Sequence, residues 1–359
     1  MKSIAHFAPG PSQLYFTVED HARKAFREGI PSLAHRSKEF EKIFQSATEG
    51  LKELLGIPQG FHIFFAASAT EIWERAIQNL VNEKSFHFVN GAFSNRFYEI
   101  AKQLGKSSEK AEAPFGQSFD STTQAPADAE LIGLTHNETS TGVSLSMDFI
   151  NQFRASNPNA LIVVDAVSSL PYPSFYFAKI DSVFFSVQKG FGLPAGLGVW
   201  IVNDRCMAKA EKLLSSGHGI GTYHSLPCYL QNAKNNQTPE TPNVLGIYLL
   251  SKVVEDFLRK GVQSLRSDTE YKAAILYQAL ENHLLLSPFV KEKKSRSKTV
   301  IVAHCGEHTS RVADYLEKLG IHPGDGYGGL KKSQLRFANF PAHSKEQVEL
   351  LVDSLEKFK

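Results

Sequence analysis

Cysteine is scarce in this chain of 359 residues, which contains three, at Cys206, Cys228 and Cys305. They make neither a C-x-x-C pair nor an even-numbered set, so no disulfide framework is expected and a reducing cytoplasm is predicted. The sequence also lacks an apolar run of the roughly 18 residues that a membrane helix needs. Residues 1–12 lack the apolar stretch of a signal peptide. These absences together predict a cytoplasmic protein with no membrane partner.

An excess of charge of one sign is lacking as well. The chain has 39 Lys and Arg residues against 37 Asp and Glu residues, which gives a formal net charge of +2. This balance argues against nucleic acid or an anionic membrane as the main partner. Apolar residues make up 42% of the chain, which excludes a disordered protein, and the length is sufficient for a large core and two domains.

Short apolar runs alternate with longer amphipathic segments in the first part of the sequence. This alternation predicts an α/β fold with a largely parallel sheet. Most of the runs are apolar throughout, as expected of strands that are buried on both faces. The predicted strands cover residues 61–66, 85–89, 129–135, 160–165, 182–187 and 198–202, and helices are predicted at 71–81, 95–104 and 147–155.

The pattern changes after Pro242, where a second and smaller set of apolar segments begins. A capping box formed by Ser344 and Gln347 marks the start of the last helix. We therefore predict a small C-terminal domain that begins at about residue 246. Its predicted elements are helices at 244–260, 267–286, 310–319 and from Ser344 onward, with strands at 299–303 and 334–338.

Two charged residues follow predicted buried strands. Lys189 comes after the strand at 182–187, at the end of the sheet where ligands of open α/β proteins bind. A lysine between apolar walls loses its proton more readily and can attack an aldehyde carbon. Asp165 ends the strand at 160–165, where a carboxylate is costly unless paired, and a pyridinium nitrogen is a suitable partner. The alternatives are a surface lysine and an aspartate that caps a helix.

Residues 63–71 run from a strand into a helix and predict an anion site. Free amides at the helix start, with the hydroxyls of Ser68 and Thr70, would suit a phosphate group. The alternative is ordinary helix capping by Ser68. Glu71, in the first turn, fits capping better than phosphate binding.

Six motifs occur in an order that is typical of one known family. They are HRSKEF at 35–40, SAT at 68–70, HNETSTG at 136–142, DAVSS at 165–169, QKG at 188–190 and TPN at 241–243. The set resembles the class V aminotransferases and covers nearly the whole chain. It implies a fold-type I transferase that depends on pyridoxal 5′-phosphate, with a mainly parallel seven-stranded sheet in a large domain and a smaller α+β C-terminal domain.

The resemblance also implies a domain division and a homodimer. Residues 1–15 would line the active site, residues 16–245 would form the large cofactor-binding domain, and residues 246–359 the small domain. Thr241 resembles the residue that reaches the cofactor phosphate in the neighbouring subunit.

Roles around the cofactor follow from the same resemblance. Lys189 resembles the Schiff-base lysine that carries the proton, and Asp165 resembles the partner of the pyridinium nitrogen. The remaining predicted contacts surround the ring and its phosphate: Ser68, Ala69 and Thr70 at the phosphate, Phe93 and Val167 on the two ring faces, and Thr139 and Gln188 near the ring hydroxyl. No metal ion is expected.

Arg336 resembles the arginine that binds the substrate α-carboxylate, and a planar guanidinium matches a carboxylate with two hydrogen bonds. The alternative is a strand arginine in a surface ion pair. His35 and Arg36 resemble the pair that binds a substrate phosphate or a distal carboxylate. Gly10 lies in the N-terminal stretch at 7–12, which is also predicted to contact the substrate.

Two branches of the family fit the sequence. The stretch at 336–341 favours the phosphoserine aminotransferases, which act on phosphoserine and 2-oxoglutarate and yield 3-phosphooxypyruvate and glutamate in serine biosynthesis. Phe93, where that branch usually has tryptophan, and the residues 140–142 favour the alanine– or serine–glyoxylate aminotransferases. We favour the phosphoserine branch. A non-catalytic binding protein with this fold is a further alternative, although such a protein has no need of a nucleophile.

One metal-like pattern is discounted. Residues 304–308 read HCGEH, which matches the H-x-x-E-H order of some zinc proteases, but that pattern requires a helix. Here it follows a predicted strand and contains Gly306, so a turn is predicted.

Overall fold

The computed structural model describes residues 5–359, and the strands follow the apolar runs of the sequence. The strands are β1 (Ala5–Phe7), β2 (Phe61–Ala66), β3 (Lys84–Val89), β4 (Ser107–Glu112), β5 (Leu131–Thr135), β6 (Asn137–Glu138), β7 (Val143–Ser144), β8 (Leu161–Asp165), β9 (Ser182–Ser186), β10 (Gly198–Asn203), β11 (Ser287–Pro288), β12 (Val300–His304), β13 (Ile321–Asp325) and β14 (Gln334–Ala338).

Helices connect these strands and cover the sheets. They are α1 (Val18–Arg27), α2 (Lys38–Leu55), α3 (Ala69–Leu80), α4 (Ala92–Gln103), α5 (Met147–Ser156), α6 (Asp204–Ser215), α7 (Leu226–Ala233), α8 (Val244–Lys260), α9 (Val262–Asn282), α10 (Thr309–Lys318) and α11 (Lys345–Lys357). Ser344 and Gln347 form the predicted capping box at the start of α11. None of the helices in residues 5–359 has the length and apolarity that membrane crossing requires.

The larger sheet has seven strands in the order β2-β10-β9-β8-β5-β3-β4. All neighbours are parallel except β10, which is antiparallel to both β2 and β9. Alternate residues point to opposite faces: Val183 and Phe185 of β9 enter one core, and Phe184 enters the other. Helices cover both faces, which explains why these strands are apolar throughout. The predicted mainly parallel α/β fold is therefore confirmed.

The smaller sheet has five strands in the order β1-β13-β14-β12-β11. Leu335 and Phe337 of β14 pack beneath α9, α10 and α11, whereas Arg336 lies on the opposite face of the strand. β1 is parallel to β13, so the start of the described chain belongs to the C-terminal sheet. Residues 1–4 of the predicted N-terminal segment lie outside the described residues.

The predicted boundary between residues 245 and 246 falls inside α8. Ile247 and Phe257 of this helix pack in the same core as the large sheet, whereas Leu276 of α9 packs beneath the small sheet. The boundary stays a prediction, and we propose that the division between the two units lies after α8, near Gly261.

Candidate active site

A cavity lies at the carboxyl ends of β5, β8 and β9, beside the start of α3. Nine residues predicted to contact the cofactor line this one cavity: Ser68, Ala69, Thr70, Phe93, Thr139, Asp165, Val167, Gln188 and Lys189. Four further lining residues escaped the sequence prediction: Trp73, Thr135, Asn137 and Ser186. The topology brings these residues together because parallel strands end at the same edge of the sheet.

Asp165 ends β8 and is almost fully buried, with 2% of its surface exposed. One carboxylate oxygen accepts a hydrogen bond from the Val167 amide at 2.9 Å, and the other accepts one from the Trp73 indole at 2.8 Å. Burial nevertheless raises the pKa of Asp165 to about 7, and nearby Glu138 also raises it. A cation in the cavity would stabilise the charged carboxylate, as the predicted pyridinium partner requires.

Lys189 lies three residues after the end of β9 at Ser186, and its side chain is partly buried. Burial lowers the pKa of Lys189 to about 8, and the positive charge of Arg336 lowers it further, whereas Asp165 opposes the shift. A substantial fraction of the amine is therefore neutral near pH 8, which is the form that attacks a carbonyl carbon.

The N-terminal segment lies against this lysine. The Lys189 ammonium donates a hydrogen bond to the Pro9 carbonyl at 2.6 Å. Gly10 has a φ of +134°, and a Cβ atom there would lie 2.1 Å from Lys189 Nζ. Only glycine fits this position, so Gly10, predicted to contact substrate, forms part of the wall beside Lys189.

Serine capping holds the start of α3 at the cavity. The Ser68 hydroxyl accepts from the Glu71 amide at 3.1 Å, which is the capping role that the sequence left open. The Ala69 amide donates to the Ser186 hydroxyl at 2.8 Å. Helix N-termini attract anions, so this end of α3 suits a phosphate group.

The ring-hydroxyl candidates lie on the other side of the cavity. The Thr139 hydroxyl donates to Ser168 Oγ at 2.7 Å, and the Asn137 amide donates to the same oxygen at 2.7 Å. The Gln188 Oε1 atom is buried without a hydrogen-bond partner in the described structure. An unpaired acceptor facing a cavity costs free energy that a bound ligand can recover. Asp165, the start of α3 and Gln188 thus offer partners for a ring nitrogen, a phosphate and a polar ring substituent, which are groups that pyridoxal phosphate carries.

Arg336 lies on the small sheet and is not among the residues that line the cavity, but it contacts the backbone of Thr139, which does line it. Its guanidinium donates to the carbonyls of Asp325 at 2.6 Å and Thr139 at 3.2 Å and lies 5.5 Å from the centroid of the Tyr327 ring. The Tyr327 ring also contacts the Phe93 ring at a centroid distance of 4.9 Å. Within residues 5–359 no ion pair occupies this arginine, which leaves it able to bind a carboxylate.

The other predicted residues form a separate group. The hydroxyl of Thr241 lies 3.3 Å from His35 Nδ1. Arg36 donates to the carbonyls of Thr238 at 2.6 Å and Pro239 at 3.3 Å. None of His35, Arg36 and Thr241 is among the residues that line the cavity.

Comparison with known proteins identifies the family. The model of the family Aminotransferase class-V matches residues 5–328. This chain belongs to the class-V aminotransferases. The predicted family, the fold of aminotransferases that depend on pyridoxal phosphate, and the enzyme class are thereby confirmed.

Several relatives resemble this class-V aminotransferase over nearly their whole length. A crystal structure of a phosphoserine aminotransferase from Cytophaga hutchinsonii has 52% sequence identity and a TM-score of 0.98 and covers 100% of both chains. The phosphoserine aminotransferase of Rhodococcus opacus is 30% identical in an alignment 357 residues long that covers 96% of this chain and 91% of that protein. An alanine–glyoxylate aminotransferase from Nostoc has 21% identity, a TM-score of 0.80 and coverage of 99% and 95%, so it shows the fold alone.

The sequence prediction missed Trp73 at the class-V site, although its spacing on α3 was informative. Trp73 follows Ala69 by four residues on α3, so it lies on the same helix face, and this spacing was an available signal. Residues 304–308 form the end of β12 and a short 3-10 turn (Gly306–His308), as expected. No group of three or more His, Cys, Asp or Glu side chains in residues 5–359 is placed to hold a metal ion.

Proposed function

We propose that this class-V aminotransferase transfers the amino group of phosphoserine to 2-oxoglutarate, which yields 3-phosphooxypyruvate and glutamate in serine biosynthesis. The single observation that carries the catalytic part is that Lys189 and Asp165 line one cavity beside the start of α3. The similarity to phosphoserine aminotransferases along the whole chain supports the choice of substrate.

Lys189 would act twice in each half of the reaction. Its amine would hold the cofactor until the donor amino group takes its place, and it would then move a proton from the donor α-carbon to the cofactor C4′ carbon. Bound pyridoxal phosphate supplies a ring that accepts the electron pair of the breaking bond. Asp165 would keep the ring nitrogen protonated. The second substrate reverses these proton transfers, so ping-pong kinetics are expected.

Arg336 would bind the α-carboxylate of both substrates. Its two carbonyl contacts orient the guanidinium without neutralising it. A second anionic group, the phosphate of phosphoserine or the distal carboxylate of 2-oxoglutarate, requires further cations. Arg36 would supply the charge, because arginine is charged at every relevant pH. Burial and the neighbouring Arg36 lower the pKa of His35, so His35 would contribute a hydrogen bond from a neutral imidazole.

A homodimer would supply these residues. Thr241 does not line the cavity of its own subunit, and it contacts His35. Arg36 is bound to the same segment through the carbonyls of Thr238 and Pro239. A subunit that delivers Thr241 to its neighbour would therefore deliver His35 and Arg36 as well. We propose that each active site combines the cavity of one subunit with this group of the other.

A hybrid dimer tests the exchange. One subunit carries Lys189→Ala and the other carries Thr241→Ala, with a different affinity tag on each. If Thr241 acts across the interface, the subunit with Thr241→Ala keeps its lysine and receives an intact Thr241, so the hybrid has about half the wild-type activity. If Thr241 acts within its own subunit, the hybrid is no more active than the two parent variants mixed.

Titration of the cofactor-loaded protein tests the substrate. Loss of the cofactor's absorption band with phosphoserine, and not with serine or alanine, is expected. A response to alanine or serine but not to phosphoserine would assign the protein to the glyoxylate branch, which Phe93 favours. The absence of any response to the three amino acids would favour a cofactor-binding protein without this activity. Full turnover in Lys189→Ala would refute the proposed role of Lys189. We also propose a cytoplasmic location, which the three unpaired cysteines support.

A further inference from the structure

His224 lies between two carboxylates from distant parts of the chain. Its Nδ1 atom is hydrogen-bonded to Glu71, in the first turn of α3, and its Nε2 atom lies 3.3 Å from the Glu240 carboxylate. The imidazole is buried, with 6% of the residue surface exposed. The sequence motifs assigned no role to any of these three residues beyond capping by Glu71.

Aromatic and charged groups complete the surroundings of the imidazole. The Tyr229 ring of α7 is stacked on it at 5.2 Å, and the Tyr223 ring is tilted against it at 4.1 Å. Arg75, also on α3, lies 3.6 Å from the Glu71 carboxylate. Burial lowers the pKa of His224, but Glu240 and Glu71 outweigh it and raise the pKa to about 9. The imidazole is therefore a cation at neutral pH, and it bridges two anions.

The two carboxylates belong to the two halves of the proposed composite site. Glu71 also accepts a hydrogen bond from the Ala67 amide at 2.9 Å, so it fixes the turn that contains Ser68, Ala69 and Thr70. Glu240 directly precedes Thr241. Arg36 holds the other side of this segment through the Thr238 and Pro239 carbonyls.

We propose that His224 is a positioning residue that joins the phosphate-binding start of α3 to the segment that carries Thr241. This inference rests on the proposed function of Thr241 in the neighbouring subunit. The start of α3 would serve the cofactor of its own subunit, whereas the segment with Thr241 would serve the neighbouring site. The contacts of His224 join these two segments into a single unit. Loss of the imidazolium charge leaves Glu71 and Glu240 facing one another across a neutral ring, which loosens both halves of the phosphate site.

Binding of pyridoxamine phosphate to the cofactor-free protein tests this role. This ligand has the phosphate but forms no covalent bond with Lys189, and its affinity is measured by fluorescence between pH 6.5 and 10. His224→Gln should bind it about tenfold more weakly than wild type at pH 7.5, the loss expected when a charged hydrogen bond is removed. The ratio of the two affinities should fall toward one as the pH passes about 9, where the wild-type imidazole loses its charge.

His62→Gln is the matched control, because His62 pairs with Asp204 at the surface and contacts neither half of the site. It should bind the ligand like wild type at every pH. Wild-type affinity of His224→Gln, or a deficit that is the same at every pH, would overturn the proposal, since the second result indicates a steric effect.

A milder variant keeps the test valid if His224→Gln does not fold. Glu240→Gln removes one of the two carboxylates and should move the fall in affinity to lower pH; an unchanged profile would overturn the proposal. The hybrid dimer of Lys189→Ala and Thr241→Ala subunits leaves His224 intact. The hybrid dimer therefore tests the exchange of Thr241 between subunits by itself. The binding measurements on the His224 and Glu240 variants test the role of His224 separately.

Discussion

At the scale of single residues, Asp165 lowers the stability of the cofactor-free protein and offers a partner to a bound cation. The folded protein raises its pKa from 3.8 to about 7, chiefly by burial. The folded state therefore binds this proton more tightly than the unfolded state, so the group costs stability as the pH rises from about 4 to 7, and the full cost remains above pH 7. Asp165→Asn should stabilise the cofactor-free protein at pH 8 by about 1–3 kcal/mol, after the loss of one hydrogen bond.

Thermal unfolding at two pH values checks this expectation. At pH 5 the carboxyl is already protonated in the folded protein, so the same substitution should bring no gain. Saturating pyridoxal phosphate should reverse the order at pH 8, because the wild type then gains its cationic partner. An equal stabilisation at both pH values would contradict the explanation.

Lys189 should give the cofactor-free protein a pH-dependent rate of cofactor capture. Because burial and Arg336 lower its pKa to about 8, the rate of reaction with pyridoxal phosphate should rise with pH and level off above about pH 8. Arg336→Gln removes the nearby positive charge and should move this midpoint to higher pH. Stopped-flow absorbance measures both rates, and a midpoint that stays in place in the variant would exclude the electrostatic contribution of Arg336.

At the scale of elements, the sequence predicted the helices and strands whose apolar residues are regularly spaced. α8 and β14 have the predicted bounds, because their apolar spacing is regular from end to end. β4 was missed, since its residues are mostly polar and exposed, as suits the edge strand that it is. β13 contains Pro323, which argues against a strand, yet it pairs with β1.

Among the predicted helices, the limits were furthest from the structure at α9. The sequence predicted 267–286, whereas α9 covers Val262–Asn282. The apolar residues 284–286 continue the pattern after the helix has ended, and His283 explains why. Its ring accepts hydrogen bonds from the amides of Leu285 and Leu286 and ties them in a turn, which apolar spacing does not reveal.

The close contact between β10 and the start of α3 predicts that a methyl group added at Gly198 weakens cofactor binding. Gly198 starts β10, and a Cβ atom there would lie 2.6 Å from the Ser68 carbonyl carbon. Gly198→Ala should displace the start of α3 and weaken cofactor binding about tenfold or more, which corresponds to a loss of about 1.4 kcal/mol or more of binding free energy. Gly219→Ala is the matched control, because a Cβ atom there meets nothing within 4 Å. Equal cofactor affinities for the two variants, measured by absorbance titration, would contradict this prediction.

At the scale of the whole molecule, the site could be predicted only in part. Residues that share a sheet edge, such as Asp165 and Lys189, follow from strand order. The wall formed by Pro9 and Gly10, and the bridge from Glu71 to Glu240, depend on contacts between segments that are far apart in sequence. No local pattern encodes such contacts. The group formed by His35, Arg36 and Thr241 is separate from the cavity, and a single chain does not explain its use.

β1 links the small sheet to the cavity of the large one, which makes Phe7 important for both. Phe7 is fully buried and stacks on His343 at 4.9 Å. Phe7→Ala should lower the free energy of unfolding by about 3–5 kcal/mol. Amine-reactive reagents should also label Lys189 faster in the cofactor-free variant, because Pro9 and Gly10, which cover this lysine, are no longer held in place by Phe7. Calorimetry and mass spectrometry measure the two effects. Phe26→Ala should show neither, since Phe26 is 65% exposed.

The pairing of β1 with β13 also has a consequence for the order in which the protein takes shape during translation. Every strand of the seven-stranded sheet lies between residues 61 and 203, so that sheet can form while the ribosome is still adding the C-terminal part. β1 precedes all of them in the chain, yet its partner, residues 321–325, is made after the whole of that sheet. β1 is therefore placed later than strands that follow it in the chain, and the cavity gains its N-terminal wall only after residues 321–325 have been made.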